Sequence, residues 1–354
     1  MKKLLKSVQN MSDLTLVREN KYSKYGLYRN PFPSIPIETA WSKSHFFFEE
    51  IFEKEINRLR FYLNRLRKDK TKVIYLIGET GSGKSSVIIH FLNEISTSKS
   101  LDLDTVYMDF WFSSAFYPLY WSALWWFGKD YVWQLCKKAF RKWRYRLGIL
   151  ENCSFLSPSE AFSKLFFVGD NIKFPVLVEM LSLASENCDL IIGVDGFNNI
   201  YSHISDLHKI DLLYGLSRLI EGISGNTLIM LAMPPEIENW ITVNRNKLVA
   251  VGVSEEFIEP DMIYVSKINS EKACNLVAGY LDIYRTPNFS SNKLFPFTKE
   301  GIELICKQSR SNLRNFLLNC HDILTFALQH DYDIIREEVV LNYFKVHSWH
   351  PLNF

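Results

Sequence analysis

The segment Lys72–Ser86, KVIYLIGETGSGKSS, limits what this chain can fold into more than any other stretch. Val73–Ile77 is a short apolar run of the kind that suits a strand buried on both faces. Gly78–Ser85 then fits G-x-x-x-x-G-K-[ST] at every fixed position. Glycines at Gly78, Gly81 and Gly83 permit a tight turn that aims successive N–H groups at a phosphate. Lys84 adds a point charge, and the following helix adds the positive end of its dipole. Val87, Ile88, Phe91, Leu92 and Ile95 recur at helical spacing behind the turn, so strand, loop and amphipathic helix follow in the order a phosphate-binding P-loop needs. Gly78, Glu79, Thr80, Gly81, Ser82, Gly83, Lys84, Ser85 and Ser86 are the expected nucleotide-binding residues, with the Ser85 hydroxyl on Mg2+.

A chain of 354 residues with 47% hydrophobic content can bury a sizeable core, and its length suits two or three domains. The net charge of +2 does not by itself mark a nucleic-acid binder, so any basic surface must be local. Six scattered cysteines, without a C-x-x-C pair, read as reduced core thiols and point to the cytoplasm. The N-terminal MKKLLKSVQNM lacks the apolar core of an export signal. Phe110–Gly128 is nineteen residues without a charge, aromatic rather than aliphatic, and contains Pro118. Buried core, an interfacial or partner contact, and a membrane span all remain open for it.

Along the chain, Tyr25–Pro36 (YGLYRNPFPSIP) is a proline-rich strap held extended, and residues 38–67 show helical spacing. Further strands are expected at Thr105–Phe110, Asp189–Asp195, Asn226–Met233 and Ile263–Ser266, alternating with helices that include Leu207–Ile220 and Glu271–Tyr284. Such alternation predicts an α/β fold: a parallel five-stranded P-loop NTPase sheet with helices on both faces. Thr298–Gln308, Ser311–His330 and Asp333–Tyr343 read as helices alone, a small C-terminal all-helical lid. The expected division is 1–70, 71–290 with an aromatic and basic insertion at 110–170, and 291–354. Asp130–Leu147 would be a helix with aromatic residues on one side and Lys137, Lys138, Arg141, Lys142, Arg144 and Arg146 on the other. A solvated amphipathic face, a nucleic-acid backbone contact and an anionic membrane surface all fit it.

Asp189–Asp195 (DLIIGVD) is an apolar strand ending in an acid, as a Walker B strand must, so Asp195 is the expected second Mg2+ residue. Gly196 stands where a water-polarising glutamate is often found; Asp109, Glu79, Asn198 and Asn199 are candidate replacements. No N-K-x-D guanine-reading motif is present, since Asn246–Lys247 runs into Leu248–Val249.

The order of strap, P-loop, Walker B strand, two further strands and helical lid resembles AAA+ ATPases of the archaeal origin-initiator and transposition-ATPase branch. Tyr25–Phe32 (YGLYRNPF) is similar to that branch's entry segment, and Ser309–Cys320 (SRSNLRNFLLNC) to its sensor-2 helix. The resemblance implies an oligomeric ATP-binding and hydrolysing switch or motor on DNA, in which Lys84, Asp195 and Arg314 act on the phosphates. Arg218 or Arg245 would complete a neighbouring subunit's site. It also departs from the pattern: Gly196 replaces the glutamate, Ala232–Met233 ends the fourth strand without a polar sensor-1 residue, and no winged-helix segment is read after the lid. Slow hydrolysis, or a nucleotide-gated switch, is the expectation that follows. The aromatic segment from Trp111 also resembles insertions in KAP-family P-loop ATPases, which leaves a membrane-associated or scaffold-type ATPase as the alternative.

Overall fold

The computed structural model describes residues 21–34, 49–66, 71–97, 103–110, 117–142, 148–186, 188–223, 225–287, 289 and 292–347. Contacts divide the chain into Glu38–Ser266 and a second unit formed by Met1–Ile37 with Lys267–Phe354.

In the first unit, α1 (Glu53–Arg65) precedes β1 (Thr71–Ile77), α2 (Lys84–Thr97) and β2 (Leu103–Asp109). A helical insertion follows: α3 (Tyr117–Lys142), α4 (Ile149–Cys153), α5 (Pro158–Phe166) and α6 (Asp170–Ala184). The chain then alternates through β3 (Asp189–Asp195), α7 (Phe197–Tyr201), α8 (Asp206–Glu221), β4 (Thr227–Met233), α9 (Ile237–Val251), α10 (Glu255–Ile258) and β5 (Asp261–Tyr264). The strands form one parallel sheet in the order β2-β3-β4-β1-β5, as expected from the alternation of apolar runs and helices. β5 begins two residues earlier than its apolar core suggests, because Asp261 already pairs with Ile74.

The two faces of the sheet are lined by alternate residues. Val73, Tyr75, Ile77, Val106, Met108, Ile192, Val194, Ile229 and Leu231 join a core with the insertion helices and α8 to α10. The opposite face meets α2. Right-handed crossovers require this division, since α2 leads from β1 back across the sheet while the later connections run the other way. β1 and β4 are neighbours whose connections leave on opposite faces. The crevice beyond their C-terminal ends is therefore the switch point at which such sheets bind ligands.

The aromatic segment is described from Tyr117; residues 111–116 lie outside the described residues. Leu119, Tyr120, Ala123 and Leu124 are fully buried, and Tyr120 donates to Leu165 O at 2.7 Å and Trp121 to Phe166 O at 3.3 Å. Among the described residues no helix is long and apolar enough to cross a membrane. Among the described residues the membrane contact considered for residues 110–128 finds no support: Leu119, Tyr120, Ala123 and Leu124 pack into the core that α3 shares with β2 and α5. The helix expected from Asp130 starts instead at Tyr117, and Gly128, at φ 74°, kinks it.

The second unit holds α11 (Ser270–Tyr284), α12 (Lys299–Gln308), α13 (Leu313–Gln329) and α14 (Glu337–His347). The N-terminal strap docks on them. Tyr28 N donates to Tyr284 O at 3.0 Å, Thr286 N to Gly26 O at 2.9 Å, and Tyr25 Oη to Tyr332 O at 2.5 Å. Phe32 packs against Tyr280 and Phe297. Three of these four helices begin on N-caps that the sequence already displays, Asn269, Thr298 and Asn312.

All six cysteines are free thiols, and Cys136, Cys153, Cys306 and Cys320 are buried. One close approach sets the depth at which α2 lies on the sheet. A β-carbon at Gly193 would stand 2.3 Å from Ile88 Cγ2 and 3.0 Å from Leu92 Cδ1. Gly193→Ala should therefore lower the stability of this unit by about 1–3 kcal/mol, read as a shift in denaturation midpoint.

Candidate functional site

The P-loop runs from the end of β1 to the start of α2 and sits at the switch point. Gly78 N donates to Met233 O at 3.2 Å, which ties the loop to the end of β4. Gly81 and Gly83 have φ of 82° and 106°, values that a β-carbon strains, so the turn needs glycine at both. Gly78 is needed for space: a β-carbon there would lie 2.7 Å from Ser82 Oγ. Ser82 is 4% exposed, and among the described residues its hydroxyl has no hydrogen-bond partner.

Lys84, the first residue of α2, is 5% exposed. Its ammonium donates to Gly78 O at 2.6 Å and Glu79 O at 2.9 Å. The Asn198 amide, from α7, lies against the same group. With its oxygen turned to Lys84 it accepts from Nζ at 2.7 Å and donates to Met233 O at 3.2 Å. Ser85 and Ser86 are half-buried at the start of α2, while Glu79 and Thr80 are exposed.

Asp195 ends β3, 7% exposed, on the sheet face that α2 covers. Since β3 and β1 both flank β4, its Cα stands about 10 Å from the end of β1, two strand spacings. Oδ1 accepts from Gly196 N at 2.8 Å and Oδ2 from the Tyr107 hydroxyl at 2.9 Å. Asp109, 4% exposed, ends β2 in register with Asp195. Tyr107 lies opposite Gly193, so its ring crosses a position with no side chain and its phenol reaches the acids. Burial first, then the Asp195 and Asp109 charges, push the Tyr107 hydroxyl well above its ordinary pKa, so it remains a donor.

The structure thus brings Gly78–Ser86, Asp195, Asp109 and Asn198 to one end of the sheet. Among the candidates to replace the missing glutamate, Asn198 meets Lys84. The Asn199 side chain is not among those described. Gly196 has φ 78°, a left-handed conformation that strains any residue with a β-carbon. Tyr107 carried no signal in the sequence; only the pairing of β2 with β3 identifies it. Arg314 belongs to the second unit, half-buried in the first turn of α13. Arg218 and Arg245 are exposed and ion-paired to Glu221 and Glu259. On α3, Lys137 Nζ lies 3.5 Å from the centre of the Trp133 ring, Lys138 is half-buried and Arg141 exposed. Lys142 ends that helix, and Arg144 lies outside the described residues.

No family model matches the sequence, and no curated protein matches it. Solved structures do. The Aeropyrum pernix ORC2 protein, in ADPNP–ADP complexes, is similar with a TM-score of 0.52 at 17% identity, over 88% of this chain and 70% of that one. The ADP form of the same protein gives 0.47 at 15% identity, over 82% and 66%. The Aeropyrum pernix ORC1 protein in complex with DNA gives 0.45 at 12%, over 94% and 73%. These are proteins of the origin-initiator branch to which the sequence points, and at such identity what is shared with ORC2 is the fold.

Removing the Tyr107 hydroxyl tests the acid pair. Tyr107→Phe takes a donor from a buried carboxylate and should lower stability by about 1–3 kcal/mol, measured by urea denaturation without added nucleotide.

Proposed function

We propose that this chain is an AAA+-type ATPase that binds ATP with Mg2+ at the P-loop and hydrolyses it slowly, acting as an oligomeric, nucleotide-gated switch on DNA. The observation that carries the reading is the placement of a buried ammonium, Lys84, and a buried carboxylate, Asp195, at either side of the end of β4. Each is held by neutral dipoles: Lys84 by two carbonyls and an amide, Asp195 by a phenol and a backbone N–H. A triphosphate needs the first and its metal ion the second.

The donor set fits Mg2+. Asp195 retains free lone pairs, the Ser85 hydroxyl lies in the first turn of α2 on the same sheet face, and Mg2+ takes few protein oxygens beside phosphate and water. When bound, the ion offsets charge on the β- and γ-phosphates. The P-loop N–H groups and the N-terminal end of α2 hold the phosphates, and Tyr107 keeps Asp195 oriented. Gly196 offers no carboxylate to polarise water, which supports slow turnover. Arg314, and Arg218 or Arg245 of a neighbouring copy, enter this reading by the resemblance alone. ADP and ADPNP in the ORC2 complexes support nucleotide as ligand.

DNA is the partner suggested by the cationic run in the sequence from Lys137, where Lys137, Lys138, Arg141, Lys142 and Arg144 follow one another with no acid between Lys137 and Arg144. Packing of the aromatic half of α3 against the core favours this over a membrane surface.

Lys84→Ala should weaken ATP binding at least about 10-fold and abolish turnover, measured by calorimetry and phosphate release beside the wild type. Equal affinities in the two would reject the reading. Neutralising Lys137, Lys138, Arg141, Lys142 and Arg144 together should lower DNA affinity and reduce the slope of log affinity against log salt by about 0.9 for each phosphate no longer neutralised.

A further inference from the structure

The end of β4 offers no polar side chain to the crevice, because Met233 is apolar and fully buried. Only its carbonyl is used, accepting from Gly78 N. Yet a polar side chain does reach that point, from a different element. Asn198 is the third residue after Asp195, and α7 carries its amide to the carbonyls that end β1 and β4 and to the Lys84 ammonium. In one orientation Nδ2 donates to Gly78 O at 3.3 Å. In the other, Oδ1 accepts from Lys84 Nζ at 2.7 Å while Nδ2 donates to Met233 O at 3.2 Å. The second satisfies both ends of the amide and places no donor against the ammonium, so it is the orientation this site favours.

That arrangement gives Asn198 two uses. An amide carries an acceptor and two donors on one terminal torsion with a broad, roughly two-fold profile. In this orientation the acceptor helps hold the lysine. Once phosphate oxygens take the ammonium, the acceptor is released and a half-turn presents the N–H2 group to whatever anion lies beside Lys84. Because the P-loop lysine serves the β- and γ-phosphates, that anion is the terminal phosphoryl group.

We propose that Asn198 reads the γ-phosphate, supplying from α7 the polar contact that β4 lacks, and so lets the site tell a nucleoside triphosphate from a diphosphate. The inference rests on the P-loop reading above. It also assigns the change on γ-phosphate loss to a specific bond, the return of Asn198 from phosphate to Lys84.

The test is calorimetric titration of the full chain with Mg2+·ADP and Mg2+·ADPNP, for the wild type, Asn198→Ala, Asn198→Asp and Lys84→Ala, each checked by thermal melting. For Asn198→Ala the ADP affinity should stay within about twofold, while ADPNP should bind roughly 10-fold more weakly, the loss of one hydrogen bond to a charged group. Asn198→Asp is nearly isosteric and serves if the alanine variant misfolds. Its carboxylate faces the terminal phosphate, so it should lower ADPNP affinity further than ADP affinity. An equal loss for both nucleotides, or no loss for either, overturns the inference and leaves the P-loop reading intact. A wild type that binds neither nucleotide, like Lys84→Ala, overturns both.

Discussion

A buried ammonium is the feature that the larger unit has to accommodate. Taking a lysine charge out of water is expensive unless hydrogen-bond acceptors surround it. At Lys84 they are carbonyls at the start of its own loop, Gly78 O and Glu79 O, with the Asn198 amide. Carbonyls point inward only if the chain turns back on itself at once, which is why φ is positive at Gly81 and Gly83. The turn must also be anchored. Its start is bonded to β4 through Gly78 N, and its end is the first turn of α2, whose depth on the sheet is set by the absent side chain at Gly193. Motif, strand order and helix packing therefore serve one electrostatic requirement.

The opposite charge is handled in the same manner. Asp195 and Asp109 end adjacent strands in register, both nearly inaccessible, and two such carboxylates repel in a medium of low dielectric. The Tyr107 phenol, kept protonated by burial, gives one of them a proton to share without neutralising it. Dipoles thus hold a cation and an anion apart across the end of β4. The backbone groups and the Tyr107 phenol among these dipoles are held by the loop and the sheet, so the Asn198 amide is the one that has to turn when a charged ligand takes its place.

Much of this was legible in the sequence, and the exceptions have a common cause. The P-loop, Asp195, the four later strands and the lid helices each carry a local signal: a fixed spacing, an apolar run of strand length, or a cap such as Asn312 before Leu313. What was not legible depends on strand order. Tyr107 matters because β2 pairs with β3, and Asn198 because only β4 separates β3 from β1. Neither arrangement follows from the order of apolar runs alone. Gly196 was visible as a missing glutamate, but only its left-handed backbone explains why a carboxylate is not simply one substitution away. The strap shows the same limit: its prolines announce an extended path, whereas its partners are found some 250 to 300 residues away, as with Tyr28 and Tyr284 or Tyr25 and Tyr332.

The insertion is where composition and structure part. Nineteen uncharged, aromatic residues suggest a membrane on length alone, but β2 is an edge strand, and edge strands expose backbone groups that must be covered. Here α3 covers it. Ser122 Oγ accepts from Asp109 N at 2.9 Å and donates to Pro118 O at 2.8 Å, and Trp126 Nε1 donates to Thr105 Oγ1 at 3.3 Å. Rings with a polar tip suit this task, since they bury a large area against the sheet while returning a donor to it. The polar tips of Ser122 and Trp126 are therefore accounted for by the strand they seal. The first of these bonds is made to the residue that carries the second buried acid, so the helix that closes the sheet also fixes one wall of the site.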